Sequence, residues 1–276
     1  MDSVTAVPDV PDVPDVTNVP DVTNVPDVPN VPDATNVTYV SMLFSCADDR
    51  VPMKQRVEWL KPLLDANLRL ILFVDELYAS WLGSVPNVKI IVLENDDLAT
   101  LRTIKAAGDL ELPPLRNQDK DTLNFLSFMN CKPELLVLAA PHVITPYVAY
   151  IDAGISKVFK DPNTLLGLRT LNVHNIPLIL LPGCKEISEV EPFPYLWKGI
   201  HWMLSGGFFI VPMTCVDEWY TLHMTALKKF LSMGTITWEV NVWASFVHTV
   251  KDRIVWYNGP HDDTMVTGIP GSVRLL

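Results

Sequence analysis

The chain has 276 residues, which is enough for one sizeable α/β domain or two small ones. It carries 21 Lys plus Arg against 32 Asp plus Glu, a formal net charge of -11, which excludes a basic nucleic-acid-binding protein as the first interpretation. Apolar residues make up 49% of the chain and its 4 Cys form no C-x-x-C pair, so bulk disorder, a disulfide scaffold and a zinc knuckle are not indicated.

Residues 1–36 form a low-complexity tail. From Val7 to Asn36 the chain reads in triplets, mostly Val-Pro-Asp and Val-Thr-Asn, and it contains no Lys or Arg. Proline biases the triplets towards polyproline II geometry, and the segment has too few apolar side chains to build a core. We therefore expect a disordered tail over residues 1–36 and a folded domain over residues 37–276. A spacer is the favoured interpretation of the tail, with a recognition ligand as the alternative.

No segment has the pattern of a membrane-directing element. The tail lacks the basic start and the apolar run of a secretory signal. Pro141 interrupts the apolar run that begins at Leu135, and Pro212 interrupts the one that begins at Phe208. Neither run reaches the roughly 18–20 apolar residues of a membrane span. A cytoplasmic protein with no membrane span is expected.

Beyond the tail, apolar runs alternate with helical patterns. Strand-like runs cover 39–44, 70–74, 88–93 and 147–151. Helices are expected after Pro52, over about 119–131, where Pro133 should end or kink the helix, and over 217–231. The run at 135–140 is too short to assign. Strands that alternate with helices predict an α/β fold with a mostly parallel, doubly wound sheet flanked by helices.

Each of the strand-like runs is followed by a polar loop that carries a carboxylate. These loops contain Asp48, Asp75, Glu94 and Asp152. In open α/β sheets, ligands bind beyond the carboxyl ends of the strands. Taken singly, each carboxylate is better explained as a helix cap or a turn residue. Together they favour a common site at this edge of the sheet.

Glycine-rich phosphate-binding motifs are absent from the sequence. There is no G-x-x-x-x-G-K-[ST], no G-x-S-x-G, and no G-x-G-x-x-G after the first strand, where residues 45–50 contain no Gly. A nucleotide bound here would therefore be held by side chains and a metal.

Short motifs in a fixed order resemble the glycosyltransferases of the GT-A fold. They lie at 147–154 (YVAYIDAG), 204–209 (LSGGFF), 237–239 (TWE) and 258–263 (NGPHDD). More narrowly, the set resembles the HtrL/YibB-like type, which has relatives in large algal DNA viruses and includes xylosyltransferase activity in capsid glycan synthesis. The resemblance covers about residues 38–268. It implies a GT-A-like sheet and transfer of a sugar, with xylose as the first choice, from a UDP-sugar to an oligosaccharide or glycoprotein acceptor. For a viral protein the location would be the host cytoplasm.

The resemblance also implies a divalent metal, Mn²⁺ or Mg²⁺, at the end of the central strand. The family's Asp-x-Asp corresponds to Asp152-Ala153-Gly154, so the second carboxylate is missing here. Such cations take one or two carboxylates together with phosphate oxygens and water. His261 is the expected second ligand, with Asp262 and Asp263 in reserve and an ordinary turn residue as the alternative.

Inverting transfer needs a general base for the acceptor hydroxyl. Glu239 lies in a mostly apolar stretch and resembles the family's acidic residue at the start of a late helix. A partly desolvated carboxylate has the raised pKa that a base requires. Stabilisation of a helix N-terminus is the alternative role, and Asp217 and Glu218 are the reserve bases.

The remaining contacts with the UDP-sugar are expected from loops that follow the first strands and from small residues that let the UDP-sugar approach the backbone. Arg50 is expected to contact a phosphate or sugar, Asp75 to accept from uracil or ribose, and Lys132 to contact the diphosphate or to be a surface charge. The full set of expected donor-binding residues is Ser45, Asp48, Arg50, Asp75, Lys132, Asp152, Gly154, Gly206 and Gly207.

Other classes stay open. One is another nucleotide-dependent transferase, such as a methyltransferase or a nucleotidyltransferase. The second is a non-catalytic protein that binds a glycan or a nucleotide, which the missing second acid after Asp152 favours.

Overall fold

The computed structural model describes residues 35–46, 51–174, 176–185, 195–270 and 273–274. The expected tail lies outside the described residues, except for Thr35 and Asn36. The strands are β1 Val37–Leu43, β2 Leu70–Val74, β3 Val88–Val92, β4 Tyr147–Ile151, β5 Asn172–Val173, β6 Ile179–Gly183, β7 Phe208–Pro212, β8 Ile254–Asn258 and β9 Val273–Arg274. The helices are α1 Met53–Asp65, α2 Glu76–Leu82, α3 Ala99–Ala106, α4 Leu123–Asn130, α5 Lys132–Ala139, α6 Asn163–Gly167, α7 Val216–Ser232, α8 Glu239–Ala244 and α9 Thr264–Thr267.

One seven-stranded sheet organises the fold, in the order β3-β2-β1-β4-β7-β6-β8. The pairs β3–β2, β2–β1, β1–β4 and β6–β8 are parallel, whereas β7 is antiparallel to both of its neighbours. The predicted α/β class with a mostly parallel sheet is therefore confirmed, with β7 as a reversed strand. Because β7 is reversed, its first residue, Phe208, pairs with Ile151 at the carboxyl end of β4. The strands β5 and β9 form a separate antiparallel pair.

Helices cover both faces of the sheet. Residues of α3, α4, α5, α7 and α8 pack on one face, against strand side chains such as Phe73 and Tyr150. Residues of α1, α2, α6 and α9 pack on the other face, against the alternate side chains, such as Leu72 and Ile151. Burial on both faces explains why these strands are continuous apolar runs. Within the described residues, no helix is both long enough and apolar enough to cross a membrane.

The helices around Pro133 differ from the prediction. The helix expected from residue 119 begins only at Leu123, because the Thr122 side chain caps it by accepting a hydrogen bond from Phe125 N at 3.2 Å. Pro133 lies in the first turn of α5, where a missing N–H leaves no hydrogen bond unmade. The unassigned run at 135–140 belongs mostly to this helix.

The domain is anchored at its start by Thr35 and Asn36. The Asn36 side chain donates to Val173 O at 2.6 Å and accepts from Val173 N at 2.8 Å. Thr35 Oγ1 donates to Leu171 O at 2.7 Å. These contacts lie at the amino end of β1, so the tail joins the domain at the edge of the sheet opposite the carboxyl ends of its parallel strands.

Candidate functional site

A cavity of about 370 Å³ lies at the carboxyl ends of β1 and β4. The start of β7 completes this edge of the sheet, since Asp152 N donates to Gly207 O at 2.8 Å. The predicted residues Lys132, Asp152, Gly154, Gly206, Gly207, Glu239 and His261 all line the cavity. The structure thus brings together residues that are up to 129 positions apart in the chain.

A buried lysine lies at the centre of this group. Lys132 begins α5 and is only 1% exposed, so its alternative interpretation as a surface charge is wrong. Its Nζ lies 2.7 Å from Glu239 Oε1, 2.9 Å from Gly206 O and 3.2 Å from Asp152 Oδ1. An ammonium group has three N–H donors, and these contacts give each of them an acceptor.

The charges of the carboxylates keep Lys132 protonated. Burial lowers the pKa of Lys132, but the neighbouring charges of Asp152 and Glu239 outweigh it and raise the pKa above its ordinary value. Two carboxylates then share a single ammonium, so these side chains together carry one excess negative charge beside the cavity.

Glu239 lies both at a helix N-terminus and in the lining of the cavity. It is the first residue of α8, where a carboxylate is stabilised by the helix N-terminus, and it is only 4% exposed. It also lines the cavity. Gly206 makes room for it, because a Cβ at that position would lie 2.2 Å from Glu239 Oε1.

Gly207 separates Asp152 from His261. A Cβ at Gly207 would lie 3.3 Å from Asp152 Oδ2 and 3.4 Å from His261 Cε1, so both side chains flank the same glycine. His261 lines the cavity, and its side chain is partly exposed to solvent. Its partial burial lowers the pKa of the imidazole. The negative charge of Asp152 opposes this shift, and the positive charges of Lys132 and Lys120 add to it. The lowered pKa favours the neutral ring, which is the form that binds metals.

The two side chains beside Gly207, Asp152 and His261, supply only part of the ligands that a divalent cation needs. Among the described residues, no group of three or more His, Cys, Asp or Glu side chains is arranged to hold a metal ion. Asp152 and His261 offer one carboxylate and one imidazole, and Mn²⁺ and Mg²⁺ commonly combine so few protein ligands with phosphate oxygens and water. The residues thus suit a cation that binds together with a diphosphate.

The reserve metal ligands are used elsewhere. Asp262 Oδ1 accepts from Thr264 N at 2.9 Å, within its own turn. Asp263 accepts from Lys160 N at 2.7 Å and from Thr164 Oγ1 at 2.6 Å. Both carboxylates therefore fix the loop that carries His261.

Three further cationic side chains are part of the cavity lining. Arg56, Lys120 and Lys157 contribute to its wall, and Lys157 Nζ lies 3.4 Å from the centre of the Trp59 ring. Counting Lys132, the described lining contains four Lys or Arg against three Asp or Glu, in a chain of net charge -11. No motif marks these cations, since their residues meet only through the fold.

Ser45 and Asp75, which are expected to contact the UDP-sugar, lie beside the cavity. Ser45 N donates to Asp75 Oδ2 at 2.6 Å, and Asp75 Oδ1 caps α2 by accepting from Tyr78 N at 2.9 Å. Neither Ser45 nor Asp75 is part of the cavity lining. Asp48 and Arg50 lie outside the described residues.

The reserve bases are on the surface. Asp217 and Glu218 are exposed in the first turn of α7, and Glu218 pairs with Arg253 at 2.9 Å. Neither of them lines the cavity.

No protein-family model and no curated protein matches this chain. The fold and the site define an α/β protein whose cavity, at the carboxyl ends of a mostly parallel sheet, contains a buried lysine between two carboxylates.

Proposed function

We propose that the protein is a glycosyltransferase that moves a sugar from a UDP-sugar to a hydroxyl group of a glycan or glycoprotein acceptor. The observation that carries this proposal is the pair of carboxylates, Asp152 and Glu239, held on one lysine in a cavity that is also lined by Arg56, Lys120 and Lys157. A UDP-sugar matches both features, because its diphosphate pairs with cations and its sugar hydroxyls pair with acceptors. Xylose, as the sugar, rests on the family resemblance alone.

Glu239 is the general base in this proposal. Its carboxylate removes the proton of the acceptor hydroxyl while the hydroxyl oxygen attacks the anomeric carbon. The bond from that carbon to the diphosphate breaks, and UDP leaves with the electron pair. Attack in line with the leaving group inverts the anomeric centre, so an α-linked donor gives a β-linked product. Lys132 holds Glu239 in place through Oε1.

Asp152 and His261 would hold Mn²⁺ or Mg²⁺ against the diphosphate, where the cation supplies positive charge that stabilises the leaving group. Lys132 contacts Asp152 Oδ1, while Oδ2 lies on the side of Gly207 and His261. Arg56, Lys120 and Lys157 supply further positive charge for the diphosphate from the cavity wall.

A non-catalytic protein that binds a nucleotide or a glycan is the second candidate. The contact of Lys132 with both carboxylates favours it, because each carboxylate already has a buried ionic partner. Binding without turnover would distinguish this candidate from the transferase.

Calorimetric titration of UDP tests the nucleotide and metal assignments together. We expect binding in the presence of Mn²⁺, loss of binding in EDTA, and at least tenfold weaker binding by Asp152→Asn, which removes the charge but keeps the size. Asp217→Asn, an exposed carboxylate on α7, is the matched control and should bind as the wild type does. UDP affinity that is unchanged both by EDTA and by Asp152→Asn would refute the metal assignment. No binding of UDP at all would refute the proposed function.

A further inference from the structure

We infer that Trp202 is a stacking platform for a sugar ring of the acceptor. This role deepens the proposed function and rests on it, because it assumes that the second substrate is a saccharide. Trp202 lines the cavity and is 41% exposed, although large apolar side chains are usually buried. Its indole ring lies 5.7 Å from the ring of His261, centre to centre, at an angle of 48°.

The sheet order assigns Trp202 to one half of the crevice. β3, β2 and β1 lie on one side of β4, and β7, β6 and β8 lie on the other. Trp202 belongs to the chain between β6 and β7, and His261 follows β8, so both belong to the second half. Among the proposed donor contacts, Arg56 follows β1 and belongs to the first half, whereas His261, the proposed metal ligand, comes from the second half. Glu239, the proposed base, lies between β7 and β8 and also belongs to the second half, so the molecule that brings the hydroxyl group is expected beside Trp202.

The backbone at Trp202 has an unusual conformation. Its φ is 51°, in the left-handed region, which is unfavourable for a bulky residue. Such a conformation persists only where the surrounding structure imposes it, and it is commonest at functional sites. The residues before and after Trp202 are both hydrogen-bonded to other parts of the fold. His201 N donates to Asn241 Oδ1 at 3.3 Å, and Met203 O accepts from Cys184 N at 3.1 Å.

Asn241 joins this loop to the helix that carries the proposed base. Its side chain is buried and also donates to Leu196 O at 2.6 Å and to Gly199 O at 2.9 Å. Asn241 lies two residues after Glu239 in α8. The loop that carries the indole ring is therefore hydrogen-bonded to the helix that carries the base, as expected if a sugar on Trp202 is to present its hydroxyl to Glu239.

A sugar ring suits this surface chemically. The face of an indole ring is electron-rich, so it attracts the polarised C–H groups on one face of a pyranose. The sugar's hydroxyl groups, at its edge, then lie towards the polar side chains of the cavity.

The test is saturation-transfer NMR on the full chain, with methyl β-xyloside, methyl β-glucoside, methyl α-rhamnoside and methyl α-fucoside as probes, and a UDP titration of the same samples. We expect at least one glycoside to receive saturation mainly on the protons of one ring face. Trp202→Ala should reduce this signal at least fivefold, whereas Trp202→Phe should retain most of it. Trp81→Ala is the matched control, because Trp81 is 54% exposed on α2 and does not line the cavity. UDP affinity should change less than twofold in each variant.

Three results would overturn the inference: an undiminished signal in Trp202→Ala, no signal from any glycoside with the wild type, or a loss of UDP affinity in Trp202→Ala, which would make the indole a platform for uracil. Glycoside binding that depends on Trp202 in a protein that does not bind UDP would refute the proposed transferase and leave the saccharide subsite standing.

Discussion

Lys132 controls the arrangement of the other charged residues in the cavity. Its ammonium contacts both carboxylates and the backbone at Gly206, so it fixes the relative positions of β7, α8 and the end of β4. A buried charge network of this kind is costly to disrupt, because removing one member leaves the others buried without a partner.

Lys132→Met should therefore lower the free energy of unfolding by about 3–5 kcal/mol, which urea denaturation measures. Lys229→Met, at an exposed position on α7, is the control and should change stability by less than about 0.5 kcal/mol. Adding Glu239→Gln to Lys132→Met should recover part of the loss, since one unpaired carboxylate is removed. A loss below about 1 kcal/mol in the single variant would show that the network is not tightly buried.

Glu239→Gln should cut turnover by roughly 10²–10⁴-fold, the usual contribution of a general base. The amide keeps an oxygen that accepts from Lys132, so UDP affinity should stay within twofold of the wild type. Glu218→Gln, on the surface, is the control for the substitution itself. Wild-type turnover in Glu239→Gln would remove Glu239 from the role of base.

Residues differ in how far the sequence identifies their roles. Asp152 and Glu239 are identified through the resemblance of their surrounding motifs to those of GT-A glycosyltransferases, and both line the cavity. The environment of Lys132 is not predictable in this way, because its partner Glu239 is 107 positions away. Trp202 is one of 8 Trp in the chain, and only its backbone conformation and its place in the fold distinguish it.

Among the secondary-structure elements, the local sequence pattern predicts some strands and misses others. β2 and β4 are found because uninterrupted apolar residues are buried on both faces of a parallel sheet. β6 and β7 each contain a proline near the carboxyl end, Pro182 and Pro212, which weakens their strand pattern. The reversal of β7 arises from its pairing with β4 and β6 across the sheet, which no short stretch of sequence encodes.

The turn into β7 should tolerate no side chain at its second glycine. In Gly207→Ala the new methyl group would approach Ile155, Asp152 and His261 to between 3.0 and 3.4 Å, so we expect UDP binding with Mn²⁺ to weaken at least tenfold. Gly199→Ala is a matched control, since its methyl group would lie 3.1 Å from Leu115 Cβ, and Gly199 does not line the cavity. Calorimetry measures the affinity and a thermal melt confirms folding. Equal effects of the two variants would show general crowding rather than an effect on the site.

Helix α7 contains a buried histidine that should make stability depend on pH. Burial lowers the pKa of His223 to about 3, and its Nδ1 accepts from Trp243 Nε1 at 3.1 Å, which requires an unprotonated nitrogen. The unfolded chain takes up the proton near the ordinary value of 6.5, whereas the folded chain does not until about pH 3. Stability therefore falls as the pH decreases between these values, by about 1.4 kcal/mol per unit from this residue, and is unaffected above pH 6.5.

Urea denaturation at pH 7.5 and pH 5.0 checks this dependence. His223→Gln, which does not titrate but keeps an acceptor for Trp243, should lose less stability than the wild type between the two pH values. His248→Gln, at an exposed position, should behave as the wild type does. Identical pH dependence in the wild type and His223→Gln would contradict a lowered pKa.

Across the whole molecule, the residues that anchor the start of the domain and the cavity lie at opposite ends of the parallel strands. Thr35 and Asn36 bond to the chain around β5, whereas the cavity lies at the carboxyl ends of β1 and β4.

Removal of residues 1–33 should leave both the melting temperature and the UDP affinity unchanged, because the triplets have no means of forming a core and the anchoring residues are retained. Asn36→Ala in the full chain should instead lower stability by about 1–2 kcal/mol, through the loss of its hydrogen bonds with Val173. Thermal melts and calorimetry compare these proteins. A truncated chain that fails to fold or to bind UDP would show that the triplets belong to the domain.

The most direct test of the proposed function is ³¹P NMR of UDP-xylose and a panel of other UDP-sugars incubated with the protein and Mn²⁺. At least one donor should be converted to UDP, and conversion should stop in EDTA and in Glu239→Gln. Full persistence of every UDP-sugar in the presence of the wild-type protein, Mn²⁺ and the saccharide bound at Trp202 would contradict a glycosyltransferase.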